Sequence, residues 1–185
     1  MDKFSLFRLA FPESFIIEVL IPQTNKNIEG EELTLSEFYV WLGVNFLIGC
    51  CEGIVDRRDW WSTDPVTDFK GAPYRMSKYI SGNRYDAINA AMRFTDEEAP
   101  DFEDKFHEVR KMLLLFNSHY EQNYIPSWLS CLDESMNSWL DKYCPGFMCV
   151  PRKPHPFGNK YHTICDGDQG RSILWHVELV EGKDR

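Results

Sequence analysis

The chain has 185 residues with 43% hydrophobic and 26% charged side chains, enough apolar material for a globular core. Its 13 Phe, 8 Tyr and 6 Trp exclude a mostly disordered segment. Twenty basic against 29 acidic residues give a net charge of −9, which argues against a simple basic DNA-binding module. The longest apolar run, Phe38 to Cys51, is broken by Gly43, Asn45 and Gly49. It falls short of the roughly 20 residues that span a bilayer, so no membrane role is expected. Met1 to Arg8 carries no secretory pattern, and the 6 cysteines read as reduced thiols of an intracellular protein.

Taken in chain order, the first expected helix runs from about Pro12 to Leu20, with Pro22 as its stop. Asn25 to Glu32 reads as a loop. Thr34-Leu35-Ser36-Glu37 forms a capping box, with Thr34 as N-cap and Glu37 reaching back. The helix that follows, to Cys51, is apolar nearly all round and is expected to be buried on most faces. Ile54 to Gly71 is a loop or broken helix containing Trp60-Trp61. Pro73 to Ile80 and Tyr85 to Phe94 are two short helices split by Ser81-Gly82-Asn83. A long helix spans about Phe102 to Tyr120, because Phe102, Phe106, Val109, Leu113, Phe116 and Tyr120 step by three or four along one face.

After Pro126 the pattern changes to short strands. Trp128 to Asp133 reads as a strand ending in a carboxylate, and Gly146 to Val150 as a short extended segment. Lys160 to Cys165 and Ser172 to Val180 are joined by turn chemistry at Asp166 to Gly170, which predicts a hairpin. The fold class is therefore α+β: a helical region over 1–126, then an antiparallel sheet over 127–185.

A carboxylate on a rigid strand suits a hard divalent cation, so Asp133 is the candidate metal ligand. Glu134 points to the other face and is the poorer ligand. Lys142 to Cys165 contains no Asp or Glu, and Arg152, Lys153 and Lys160 within it are candidates for holding DNA phosphate. The alternative for that segment is a solvated basic loop. Cys144, Cys149, His155 and His162 have a spacing unlike the common zinc fingers, and core thiols with exposed imidazoles are the preferred reading. Trp60-Trp61 suits base stacking or, better, packing between the helical layer and the sheet.

An ordered series of motifs resembles the piggyBac-like transposases across roughly Glu13 to Gly182. Trp60-Trp61-Ser62-Thr63-Asp64 is similar to their "YWSTD" loop. Asn83-Arg84-Tyr85 with Ala91-Met92-Arg93-Phe94-Thr95-Asp96 is similar to "NRF…LRFLHFSD", and Val109-Arg110-Lys111-Met112-Leu113 to "IRPLLD". Tyr124-Ile125-Pro126 and Leu132-Asp133-Glu134-Ser135-Met136 resemble "YIPG…LSIDESM". Arg152 to Lys160 and Cys165-Asp166 resemble "PKKPHKWGIK…LCD".

The resemblance implies a helical dimerisation and DNA-binding-like part, then the first three antiparallel strands of an RNase H-like catalytic domain. It implies cut-and-paste DNA chemistry using three Asp residues and divalent metal, Mg²⁺ by expectation, with Asp133 as the first catalytic carboxylate. It further implies transposon-end DNA as partner, a possible homodimer and nuclear location. The second and third catalytic Asp are not matched, so this chain is expected to be inactive alone. Asn137 to Lys142 also departs from the family pattern, which has a "GR" there. The competing reading is a domesticated, non-enzymatic DNA- or protein-interaction module.

Overall fold

The computed structural model describes residues 2–50, 57–62, 75–100, 104–138, 142–143, 146–167 and 173–181. The chain is α+β, and it separates into two compact units, residues 16–96 and residues 1–15 with 97–185. The boundary read from sequence, at residues 126 and 127, runs between elements of the second of these units.

The unit of residues 16–96 is helical. A π-helical stretch, Ile16–Leu20, passes directly into α3, Ile21–Asn25. Pro22 therefore does not stop a helix, as the sequence reading had it. It sits in the first turn of α3, directly after the π-helical stretch, and the helical path continues through it. Asn25 then closes the following loop, accepting from Leu33 N (2.7 Å) and donating to Leu33 O (3.1 Å).

The main helix, α4, spans Leu35–Cys50, and Thr34 Oγ1 caps Glu37 N at 3.2 Å. The Glu37 carboxylate takes the Arg84 guanidinium on both oxygens, each at 2.7 Å. Phe38, Trp41 and Val44 are buried, but Val40 and Phe46 are exposed. The expectation of burial on most faces is thus corrected: α4 buries one stripe. Its other side lines an apolar pocket of about 510 Å³ with Gly43, Leu47 and Tyr79.

The helix α5, Gly82–Ala91, starts at Ser81, whose side chain accepts from Arg84 N. It buries Tyr85, Ile88 and Ala91. Short 3₁₀ turns at Arg57–Trp61 and Met76–Lys78 complete the described part of this unit. Trp60 is buried, and Trp61 donates to Ile80 O at 2.8 Å and packs on Tyr85. The tryptophan pair is core material within this unit. The rest of the Ile54 to Gly71 loop and Pro73 lie outside the described residues.

The other unit begins with α1, Lys3–Ala10, a helix the sequence reading omitted. Asp2 caps it, accepting from Phe4 N and Ser5 N at 3.0 and 2.9 Å. A one-turn helix, α2, follows at Glu13–Phe15, and Arg8 pairs with Glu13. The long helix α6 spans His107–Asn123, starting later and ending later than expected, and Phe102 lies outside the described residues. Phe106, just before α6, is buried, and Val109, Leu113, Phe116 and Tyr120 are half-buried while Leu114 and Leu115 are exposed. The apolar face read from the spacing is the face that packs.

Among the described residues four strands form the sheet: β1 Ser130–Ser138, β2 Met148–Cys149, β3 Phe157–Asp166 and β4 Ile173–Leu179. The central strand is β3. It pairs antiparallel with β1 along one edge and with β2 and β4 along the other. The expected β3–β4 hairpin is present, and β1, β3 and β4 are the three expected antiparallel strands. Asp133 does not end its strand: β1 continues through Ser138, so the carboxylate stands in mid-strand.

Both flanks of the sheet are specified by side chains. Asn117 of α6 donates to Val177 O (2.8 Å) and accepts from Val177 N (3.0 Å), closing the outer edge of β4 as a strand would. Gly158, at φ 151°, lets β1 approach β3, because a Cβ there would collide with Asn137 O. Gly146, at φ 67°, lies against the Phe106 ring with no room for a side chain.

Candidate functional site at the outer edge of β1

In an antiparallel ladder, successive residues turn their N–H and C=O groups alternately toward and away from the partner strand. Gly167 N donates to Leu129 O at 2.9 Å, and Thr163 Oγ1 donates to Asp133 O. The odd-numbered residues of β1 therefore face β3 through their backbones. The even-numbered ones, Leu132, Glu134 and Met136 among them, turn their backbone groups toward the open edge.

Asp133 is exposed, and its Oδ1 accepts from Glu134 N at 2.7 Å. The carboxylate thus leans over the open edge of β1. Glu134 O, on the same edge, accepts from Lys153 Nζ at 2.9 Å. Both backbone groups of Glu134 are occupied by charged side chains, one means of blunting a free strand edge.

The Glu134 side chain lies on the opposite face from Asp133, as the alternation requires. Lys160 Nζ donates to its Oε1 at 2.6 Å, and His162 stands 3.9 Å away. The Lys160 hydrogen bond and charge, with help from His162 and Lys153, hold the Glu134 carboxyl below its ordinary range. Its Oε1 is thereby ion-paired with Lys160. His162 also contacts Glu178 Oε2 at 3.3 Å.

The three basic residues read as phosphate contacts differ in readiness. Lys160 is only 18% exposed and is ion-paired with Glu134. Lys153 is half-buried and donates to the β1 backbone. Arg152 is exposed in the turn before β3 and makes no ion pair among the described residues. His155 is exposed in the same turn, Cys149 is exposed on β2, and Cys144 lies outside the described residues.

One residue of the site carried no sequence-based role. Asp166, at the end of β3, is buried and accepts from Tyr124 Oη (2.5 Å), Ser127 N (2.9 Å) and Ser127 Oγ (2.5 Å). It clamps the Tyr124-Ile125-Pro126-Ser127 turn and thereby fixes where β1 begins. Asp133 is positioned through this clamp. The pairing of Tyr124 and Asp166 in separate motifs was the available signal, since a buried carboxylate needs several donors.

Beside the clamp, Ile125 and Trp128 are 92% and 90% exposed and Leu132 is 68% exposed. They make an apolar strip leading onto β1.

A two-metal site needs several carboxylates converging on one point. No three or more His, Cys, Asp or Glu converge anywhere among the described residues. The backbone partner of Asp133 across the ladder is Thr163, and Ser135 Oγ lies 3.2 Å from Thr163 Oγ1. The residues present supply one carboxylate and neutral hydroxyls, and they do not fit a two-metal site. No helix among the described residues is long and apolar enough to cross a membrane.

The family model described as Transposase IS4 matches residues 2–185. Among solved structures, the chain is similar to one described as a cryo-EM structure of the piggyBac transposase synaptic complex with hairpin DNA. The TM-score is 0.76 at 21% identity, over 98% of this chain and 39% of that one. That likeness concerns the fold, and the chain spans about two fifths of the length of the structure it matches. None of the curated proteins matches the chain.

Proposed function

This chain belongs to the Transposase IS4 family and is piggyBac-like, and on that premise we propose that it is a transposase-derived DNA-associated domain that does not cleave DNA by itself. The observation that carries the proposal is the lone Asp133 carboxylate over the open edge of β1. Asp133 occupies the place the family resemblance gives to a metal-binding, catalytic Asp. The donors around it supply too little negative charge to hold Mg²⁺ pairs. Ancestral DNA cleavage and strand transfer would need further carboxylates brought to this edge.

DNA is the partner proposed, because the similar solved structure is a transposase complex with hairpin DNA. With net charge −9 there is no long-range attraction, so contact rests on local cations. Arg152 leads, and Lys153 and Lys160 follow only if Glu134 releases them. A nuclear location accords with that partner. Pairing of two copies through the open β1 edge would give the homodimer. The exposed Ile125, Trp128 and Leu132 favour a second reading, an interaction module that docks another protein or strand on this edge.

Incubation with supercoiled DNA and Mg²⁺ or Mn²⁺ tests both parts. The expected result is no nicking and weak binding, lost steeply with salt at a slope of about −0.9 per phosphate neutralised. Arg152→Ala should weaken it more than Lys160→Ala. Nicking that disappears in Asp133→Ala would overturn the inactivity. Binding unchanged by Ala at Arg152, Lys153 and Lys160 together would overturn the assigned surface.

A further inference from the structure

Cys131 of β1 and Cys165 of β3 are direct partners in the ladder. The backbone parity established by Leu129 O and Gly167 N makes them a hydrogen-bonded pair. Such pairs have Cα atoms about 5.5 Å apart, inside the roughly 4.4–6.8 Å that disulfides bridge. Both side chains point to the face that carries Asp133, two residues along from Cys131. Cys131 is exposed and Cys165 is partly exposed, and both are free thiols.

The sulfurs of a hydrogen-bonded pair are not ideally placed. Facing Cβ atoms stand about 4.5–5.5 Å apart, whereas a relaxed disulfide wants about 3.8 Å. The β3–β4 register shift beside Cys165 places its extra residue, Trp175, on β4, and the β1–β3 register runs unbroken through the cysteine pair, so closure must take up the Cβ mismatch as strain. Closure is therefore feasible and strained, and strained disulfides are the readily reduced ones.

We propose that Cys131 and Cys165 are a cross-strand dithiol that closes reversibly to a disulfide under a disulfide oxidant such as oxidised glutathione. The exposed Cys131 thiol loses its proton and attacks one glutathione sulfur, and a first glutathione leaves as thiolate and is protonated. Cys165 then attacks the Cys131 sulfur of the mixed disulfide and expels the second glutathione. Two protein thiols are oxidised and one oxidised glutathione is reduced to two thiols, so atoms and electrons balance. Closure ties β1 to β3 beside Asp133 and holds the strand in one register. The inference rests on the ladder alone and stands whether or not the chain contacts DNA.

The full chain treated with oxidised glutathione, then alkylated and digested without reductant, decides the matter. The expected result is a Cys131–Cys165 linked peptide, loss of two titratable thiols, and return of both on adding reduced glutathione. Cys165→Ser should trap a stable glutathione adduct on Cys131, Cys131→Ser should leave Cys165 unmodified, and Cys50→Ser should change nothing in this pair. The wild-type digest needs no folded variant. A persistent glutathione adduct on wild-type Cys131, a Cys131-linked dimer, or a crosslink that reduced glutathione fails to open would each overturn the proposal.

Discussion

The helical unit of residues 16–96 and the sheet-bearing unit are held together by different physics. Apart from Phe15 and Phe106, every buried hydrophobic side chain among the described residues belongs to the helical unit. Phe38, Ile16, Met76, Ile88 and Val44 are fully enclosed there. The sheet unit is fixed by polar pins instead. Asp166 clamps the entry to β1, Asn117 closes β4, and Arg110 bridges Asp104 at 2.6 Å and Glu181 at 3.0 Å. Its apolar side chains at Ile125, Trp128 and Leu132 face outward. A dry core tolerates solvent on all sides. A pinned sheet leaves its β1 edge open among the described residues.

The largest expected effect tests the core side of that contrast. Phe38→Ala should destabilise the helical unit by about 3–5 kcal/mol, whereas Leu132→Ser should change stability by no more than ~0.5 kcal/mol. Urea unfolding with hydrogen exchange read separately for each unit measures both. Equal losses would mean that the two units do not differ in this way.

Next comes the Asp166 clamp. Asp166→Ala removes the acceptor that Tyr124 Oη and Ser127 N share, and leaves Ser127 Oγ only Leu129 O at 3.2 Å. The expected cost is about 2–3 kcal/mol, with exchange in β1 accelerated. Asp133→Ala, in contrast, should leave stability near wild type, because its carboxylate is exposed. An Asp133 variant as damaged as the Asp166 variant would make Asp133 a structural residue.

The Arg110 bridge gives a pH signature. Hydrogen bonds from Arg110 hold the Asp104 carboxyl below its ordinary range, and those same bonds push the guanidinium further up. A depressed carboxyl stabilises the fold at pH above its unfolded pKa. That contribution fades as the pH falls from about 4 through the lowered folded value. Acidification should therefore loosen the α6 start and Glu181 in wild type, with a smaller change in Asp104→Asn. Identical acid profiles in the two proteins would remove the bridge from the list of pins.

The smallest expected effect concerns the blunted edge. Lys153→Ala exposes Glu134 O and should raise self-association modestly at high concentration, read by light scattering. A decrease would mean that Lys153 promotes pairing and does not shield the edge.

Legibility in the sequence followed the same division. The α4 cap at Thr34, the packed face of α6 and the β3–β4 hairpin are local patterns, and each could be read from residue spacing. The α1 helix was missed because eight residues with a weak pattern depend on packing, here His119 against Leu9 O at 2.8 Å. Pro22 was misread because a proline that ends one helix and one that opens the next look alike in a string. The length of β1 was hidden because Asp133 to Ser138, polar except for Met136, carry no strand signal; β3 imposes their conformation. Asp133 itself was legible only through the ordered motifs. Asp166 was matched there too, yet its role needs Tyr124 and Ser127, which lie 42 and 39 residues away.

The amide of Asn117 imposes a symmetry on any assembly through this sheet. With Val177 already satisfied and α6 lying beside β4, one flank cannot accept a further strand. Among the described residues β1 is the long open edge, and two copies that met there would do so as β1 against β1. An antiparallel meeting of identical strands is isologous: each copy offers the same surface, and a two-fold axis runs between them. Such a pair uses up both open edges in forming. A pair formed that way would be closed at two copies, whereas a heterologous edge contact would leave a free edge and propagate.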